Sequence, residues 1–344
     1  MIRFECDYNQ GCHPLILEKL AKTNFEQTVG YGEDQYCANA KVLIKEACGI
    51  KDIDIHFLVG GTQTNTTVIS SVLKGYQGVI SADTGHINTH ETGAIEATGH
   101  KVLSLPNEDG KIKAAQVAAY IKAHYEDANA CHTVQPAMVY ISFPTENGTL
   151  YSKAELEALY DVCQTNDVCL FIDGARLGYG LAALNNDLSL RDICRNCDIF
   201  YIGGTKVGAL FGEAVVIVND KYKKDFRYNI KRHGGMLAKG RLLGIQFETL
   251  FTDDLYYRIS KNAIDRAMQL KQAFQDHGYK LLNDSYTNQQ FVYLNDQQHA
   301  KLQEKYAYSY WGEFTDGKAY RFCTSWATSE QQILQLINDL KEYR

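Results

Sequence analysis

Short, nearly unbroken apolar runs alternate with longer stretches of helical periodicity through the first two-thirds of this 344-residue chain. The runs at 53–59, 78–82, 101–105, 138–143, 168–172, 199–202 and 214–218 are dense in Val, Ile, Leu, Phe and Tyr. Strands covered on both faces read this way, whereas a strand with one wet face alternates polar and apolar residues. Helical patterns at 64–74, 114–125 and 153–166 lie between them. In the last of these, Leu156, Leu159, Tyr160 and Cys163 share one face, as a helix resting on a sheet requires. The alternation predicts a wound α/β domain around a mostly parallel, seven-stranded sheet.

After Lys231 the pattern changes. A helical stretch runs from about Leu237 to His277, broken near Thr252-Asp253-Asp254. Shorter strands are expected at 291–294 and 319–323, then a helix with Ile333, Leu336, Ile337 and Leu340 at i, i+3, i+4 and i+7. The expectation is a large α/β domain over 1–240 and a small C-terminal α+β domain over 241–344, with the N-terminal segment free to pack on the latter.

Charge narrows the function classes. Thirty-five basic residues against 41 acidic ones leave a formal charge of −6, which offers no footprint for nucleic acid or an anionic membrane. The first residues lack the apolar core of a secretory leader, and no apolar run approaches the ~20 residues of a spanning helix. A cytoplasmic location is therefore expected. Ten cysteines in so long a chain do not form a disulfide scaffold. Cys194 and Cys197 form a lone CxxC without a second pair, so they read as buried thiols and no metal site is expected.

Four local features carry chemistry. Gly60-Gly61-Thr62-Gln63-Thr64-Asn65 follows a strand and opens a helix, the arrangement that presents free N–H groups to a phosphate; a plain glycine turn with a Thr cap is the alternative. Asp173 ends the strand of Phe171-Ile172-Asp173-Gly174-Ala175-Arg176, where wound sheets bind ligands. There it can face a cationic ring nitrogen, or else pair with Arg176 or cap a helix. Lys206, in Gly203-Gly204-Thr205-Lys206, stands among small residues directly after a strand. Burial there would lower its pKa and make its amine nucleophilic; a solvated loop lysine is the alternative. Arg321, inside an alternating strand, can aim its planar fork at a carboxylate or join a structural ion pair. Taken together, a phosphate cup, an acid for a pyridinium, a Schiff-base lysine and a carboxylate fork describe a pyridoxal 5'-phosphate site for an amino acid.

The chain resembles the threonine aldolase / β-eliminating lyase family of fold type I, aspartate-aminotransferase-like pyridoxal-phosphate enzymes. The matches are Tyr31-Gly32-Glu33-Asp34, Gly61-Thr62 with Asn65, His86 five residues before Glu91-Thr92-Gly93, Asp173-Gly174-Ala175-Arg176, and Lys206. The resemblance implies that Lys206 bonds the cofactor, Asp173 meets the pyridine nitrogen, and Gly61, Thr62 and Thr205 hold the phosphate. It also implies that His86 stacks on the ring and that Arg176 lies near the 3-hydroxyl or the substrate carboxylate. Arg321 would take the α-carboxylate. Tyr31 would enter a neighbouring subunit's site, so a homodimer or homotetramer with its active site at the interface is implied. One of Lys231, Arg232 and Lys239, around Gly234-Gly235-Met236, would reach a neighbouring subunit's phosphate. The implied reaction cleaves Cα–Cβ of a β-hydroxy-α-amino acid, threonine or allo-threonine, to glycine and an aldehyde. β-Elimination or transamination on the same cofactor, and a non-catalytic cofactor-binding protein, are the alternatives. Two positions depart from the family pattern. Glu146 stands before Asn147-Gly148 where many members have His, and Cys6 precedes Asp7 where they have Ser. His86, Glu146 or a water is the candidate base for the β-hydroxyl, with His86 or a water it orients preferred.

Two other motifs mislead. Gly178-Tyr179-Gly180-Leu181-Ala182-Ala183 fits a dinucleotide fingerprint but does not follow its strand directly, and Asp198 precedes a strand instead of ending one. His86 and His90 share a helical spacing, but Ile87 occupies the place that zinc-protease chemistry gives to Glu.

Overall fold

The structure, a computed structural model, describes residues 1–343. Its centre is a seven-stranded sheet in the spatial order Asp54–Leu58, Glu213–Ile217, Ile199–Gly203, Cys169–Asp173, Gln135–Ser142, Gln77–Ala82 and Val102–Leu105. Glu213–Ile217 alone runs against its two neighbours; the other pairs are parallel. The seven apolar runs thus correspond to the seven strands. Their density has a direct cause, since successive side chains enter opposite layers. Val139, Ile141, Leu170, Ile172, Phe200 and Ile202 join one core, while Met138, Tyr140, Cys169, Phe171, Ile199 and Tyr201 join the other. With helices on both faces, neither set of side chains meets water.

A three-stranded antiparallel sheet, Ser309–Phe314, Gly317–Cys323 and Gln289–Tyr293 in that order, forms the smaller C-terminal unit. Its core gathers Phe274, Val292, Phe322, Ile333, Leu336 and Leu340. The long helix Leu255–Asp276 serves both units, giving Ala263 and Ile264 to the large core and Leu270 and Phe274 to the small one. The expected break falls where it should, between Arg241–Phe251 and Leu255–Asp276, with Asp253 and Asp254 at φ 51° and 55°. The N-terminal strand Ile2–Arg3 pairs in parallel with Tyr306–Ala307, and Phe4 fills the small core.

Three readings need correction. The stretch expected to be helical from Leu237 starts instead at Arg241. The strand Ser309–Phe314 went unread because it is half-exposed, with no clean alternation of polar and apolar residues. The first glycine-led helix is Gly61–Val72, three residues earlier than its periodicity suggested.

Candidate active site

The loops after the parallel strands meet at one edge of the sheet, and there they enclose a cavity of about 250 Å³. Its lining includes Gly61, Thr62, His86, Glu146, Asp173, Arg176, Thr205 and Lys206. Eight of the ten residues singled out from sequence therefore share one space, although 145 positions separate the first from the last (206 − 61).

The helix Gly61–Val72 begins from Gly60, which is extended and offers no side-chain cap. Its first N–H groups are left for an external partner, and the positive end of the helix dipole favours an anion. A Thr cap, the plain alternative, is not formed. A Cβ on Gly61 would sit 3.2 Å from the Tyr201 hydroxyl, so glycine keeps this approach open.

Asp173 is buried at the end of Cys169–Asp173. Tyr201 donates to one carboxylate oxygen and Tyr140 to the other. Asn65 adds a donor at 3.2 Å and the Ala175 amide another at 3.0 Å. Burial alone would raise its pKa, but the nearby His86 and these donors hold it below the ordinary carboxylate value. Burial and the Asp173 charge push both phenols well up, so they stay donors. The result is a fixed negative charge facing the cavity. It does not pair with Arg176, contrary to one reading of the sequence.

Arg176 pairs instead with Asp7, 169 positions away in sequence. Its Nε and Nη2 reach the two Asp7 oxygens at 2.7 and 3.0 Å, and Asn288 donates to the same carboxylate at 2.9 Å. Asp7 is wholly buried, and despite burial the Arg176 charge lowers its pKa.

His86 Nδ1 lies 2.8 Å from Glu91 Oε1, leaving Nε2 free. Asn65 donates to the same Glu91 oxygen at 2.7 Å. Glu146 Oε1 accepts from the Ser142 hydroxyl at 2.6 Å and from the His86 amide at 3.0 Å. Burial raises the Glu146 pKa.

Lys206 follows Ile199–Gly203, and its carbonyl accepts from the Tyr179 hydroxyl at 2.6 Å. Burial and the Arg176 charge lower its amine pKa, while Asp7, Asp173 and Glu213 oppose them. The Lys206 side chain is half-buried and lines the cavity. Thr205 Oγ1 accepts from the Gly212 amide at 3.0 Å.

Sequence reasoning missed the two tyrosines, Asp7 and Glu213. Tyr140 and Tyr201 occupy ordinary strand positions, and only the sheet register puts both beside Asp173. Two predicted residues lie off the cavity lining. Arg321 donates to Gln289 and to the Glu5 carbonyl, each at 3.1 Å, and stacks on Trp311, while its buried Nε has no acceptor among the described residues. Tyr8, on the cavity wall, feels the charges of both Arg176 and Arg321. Tyr31 is half-exposed and lines a separate hollow with Arg227 and Met236, with the Lys231 amine 5.1 Å from its ring.

The misleading motifs have structural explanations. A Cβ on Gly178 would lie 2.3 Å from Ser260 Oγ, and one on Gly180 would lie 2.8 Å from Phe143. These glycines serve close packing between elements. Cys194 and Cys197 are free and buried.

A sequence model of the beta-eliminating lyase family matches residues 8–297. The low specificity L-threonine aldolase of Pseudomonas sp. (strain NCIMB 10558) is 28% identical over 342 residues, covering 98% of this chain and 97% of that protein. The solved Leishmania major threonine aldolase superposes with a TM-score of 0.96 at 43% identity, covering 99% of each chain. The histidinol-phosphate aminotransferase of Clostridium acetobutylicum, at 15% identity and a TM-score of 0.74 over 99% of this chain and 98% of its own, shares the fold.

Proposed function

The chain belongs to the beta-eliminating lyase family, and from that premise we propose that it is a pyridoxal-phosphate-dependent lyase. Its reaction cleaves Cα–Cβ of a β-hydroxy-α-amino acid, threonine or allo-threonine, to glycine and an aldehyde. One observation supports this reading above the others. An amine of lowered pKa, Lys206, and a fixed carboxylate, Asp173, face one cavity that also receives an uncapped helix N-terminus.

The donor set fits the cofactor. The N–H groups at Gly61 and Thr62, with Thr205, would hold its phosphate. Asp173 holds the pyridine nitrogen protonated, and each pKa unit of that coupling is worth about 1.36 kcal/mol. Lys206 supplies the amine for the covalent link. When bound, the cofactor accepts the electron pair released from Cα.

The chain's residues then act on the substrate. Arg176, its charge already balanced by Asp7, would orient the cofactor's 3-hydroxyl or the substrate carboxylate. Arg321 binds the α-carboxylate. His86 covers the ring face, and Glu91 on Nδ1 leaves Nε2 to take the β-hydroxyl proton directly or through a water. Glu146, fixed by Ser142, faces the same side. Tyr31 completes the site of a neighbouring subunit in a homo-oligomer. The enzyme acts in the cytoplasm; no described helix is long and apolar enough to cross a membrane. The large cofactor-binding unit spans 1–240 and the small C-terminal unit 241–344.

A visible absorption spectrum with added pyridoxal phosphate, before and after borohydride, tests the cofactor. Product analysis tests the reaction. Glycine plus an aldehyde is expected, and Lys206→Ala should lose the visible band and turnover together. Pyruvate plus ammonia, or a keto acid, would mean elimination or transamination instead. Undiminished turnover in Lys206→Ala would refute the mechanism.

A further inference from the structure

We propose that Asn65 is a positioning residue that joins the two buried carboxylates Glu91 and Asp173, and through Glu91 holds the His86 ring with its Nε2 bare of hydrogen. The inference rests on the base role given to His86 above.

The geometry begins with one amide nitrogen. Asn65 lies one turn into the helix Gly61–Val72, behind the end offered to the phosphate. It is wholly buried and lines the cavity with His86, Glu91 and Asp173. Its Nδ2 donates to Glu91 Oε1 at 2.7 Å and to Asp173 Oδ2 at 3.2 Å. An amide nitrogen carries two hydrogens, so one goes to each carboxylate. The flipped amide would turn an oxygen toward both acids, so these contacts fix its orientation. Two negative charges within reach of one amide repel strongly in a buried site, and Asn65 is the donor they share.

The two acids differ in what else holds them. Asp173 also has the Tyr140 and Tyr201 hydroxyls and the Ala175 amide. Beyond Asn65, the Glu91 carboxylate meets His86 Nδ1 at 2.8 Å on the same oxygen. Its other oxygen is buried without a partner among the described residues. An ionised carboxylate only accepts, so Nδ1 donates and the free lone pair of the ring falls on Nε2. Asn65 thus acts on the base through Glu91.

Loss of the amide has a defined consequence. The two carboxylates lose their shared donor, and the cluster takes up one proton from solvent. The proton settles where fewer donors remain, on the pair of Glu91 and His86. That pair is then an imidazolium beside a carboxylate, or an Nε2–H imidazole beside a carboxyl. In both arrangements Nε2 carries hydrogen and cannot accept the β-hydroxyl proton.

Nitrogen NMR of the full chain, labelled with 15N-histidine and mixed with pyridoxal phosphate, tests this with a readout besides activity. The His86 signals are those lost in His86→Gln, and spectra are read at about pH 8, above the ordinary imidazole value. The wild type should show Nδ1 protonated and Nε2 bare. Asn65→Leu keeps the bulk of the side chain and removes both donors. A hydrogen bond to a charged group shifts an equilibrium by about tenfold or more, so the bare-Nε2 fraction should fall by about tenfold. The kcat should fall by the same factor, while the visible band of the cofactor persists because Asp173 keeps its other donors. Asn65→Val removes the same donors and should act the same way, which keeps the test open if the Leu variant misfolds. Wild-type nitrogen shifts in a folded variant would overturn the role of Asn65 and leave the base role of His86 standing. Nε2 protonated in the wild type would overturn both. Loss of the bare Nε2 with unchanged kcat would support the hold of Asn65 on the ring and remove the base role instead.

Discussion

Asp7→Asn should unfasten the N-terminal segment from the active site. The substitution keeps the shape of the side chain but removes its charge. Arg176, whose side chain is 13% exposed, then faces an amide that cannot balance it. The amide nitrogen of the variant is itself a donor, set against the donors on Arg176 and Asn288. Breaking a buried pair from one side costs about 3–5 kcal/mol. With a urea m-value of about 3 kcal/mol/M, the upper end for small proteins, the midpoint falls by about 1–1.7 M. The effect carries a pH signature. The Asp7 pKa is lowered in the folded state, so its contribution is fully present above the unfolded value and is lost as pH falls through the lower folded value. The gap between wild type and variant should stay constant above about pH 5 and narrow on further acidification. Urea titration by circular dichroism across that range is the assay. A gap under about 1 kcal/mol, the scale of a surface pair, would refute the claim that this ion pair is a buried structural one. A gap that persists unchanged at acid pH would refute the electrostatic cause.

Other outcomes follow from the same contacts. Tyr201→Phe removes a charge-assisted donor worth about 1.5–3 kcal/mol from Asp173; pyridoxal phosphate should bind at least several-fold more weakly, measured by spectral titration, and unchanged affinity would count against the Asp173 role. Gly174→Ala puts a Cβ 1.9 Å from the Tyr201 carbonyl oxygen, so backbone must move; the loss should exceed the roughly 1–3 kcal/mol typical of overpacking, and near-native thermal stability would contradict it. Cys194 and Cys197 are buried, and the Cys197 thiol is pushed well up by burial; a thiol reagent should modify exposed Cys131 rapidly and these two only on unfolding, as peptide mapping would show.

The sequence determined the large sheet and most of the cavity. Strands buried on both faces must be apolar at nearly every position, so seven dense runs marked seven strands without tertiary information. The chemistry of the loops was equally local. A glycine-opened helix, an acid ending a strand and a lysine among small residues each carry their meaning within a single short loop, and their ligand-binding edge follows from the handedness and direction of wound sheets. The tertiary structure decided who partners whom. Asp7 had no local sign of reaching Arg176, because an ion pair across 169 positions leaves no periodicity. Tyr140 and Tyr201 looked like core aromatics until register brought both hydroxyls to Asp173. Glu213 lay just outside the run read from sequence, and only the reversal of its strand, set between two others, put it on the cavity lining. Local patterning is written by which side of an element meets water. The pairing of charges is written by distances that exist only once the layers have closed.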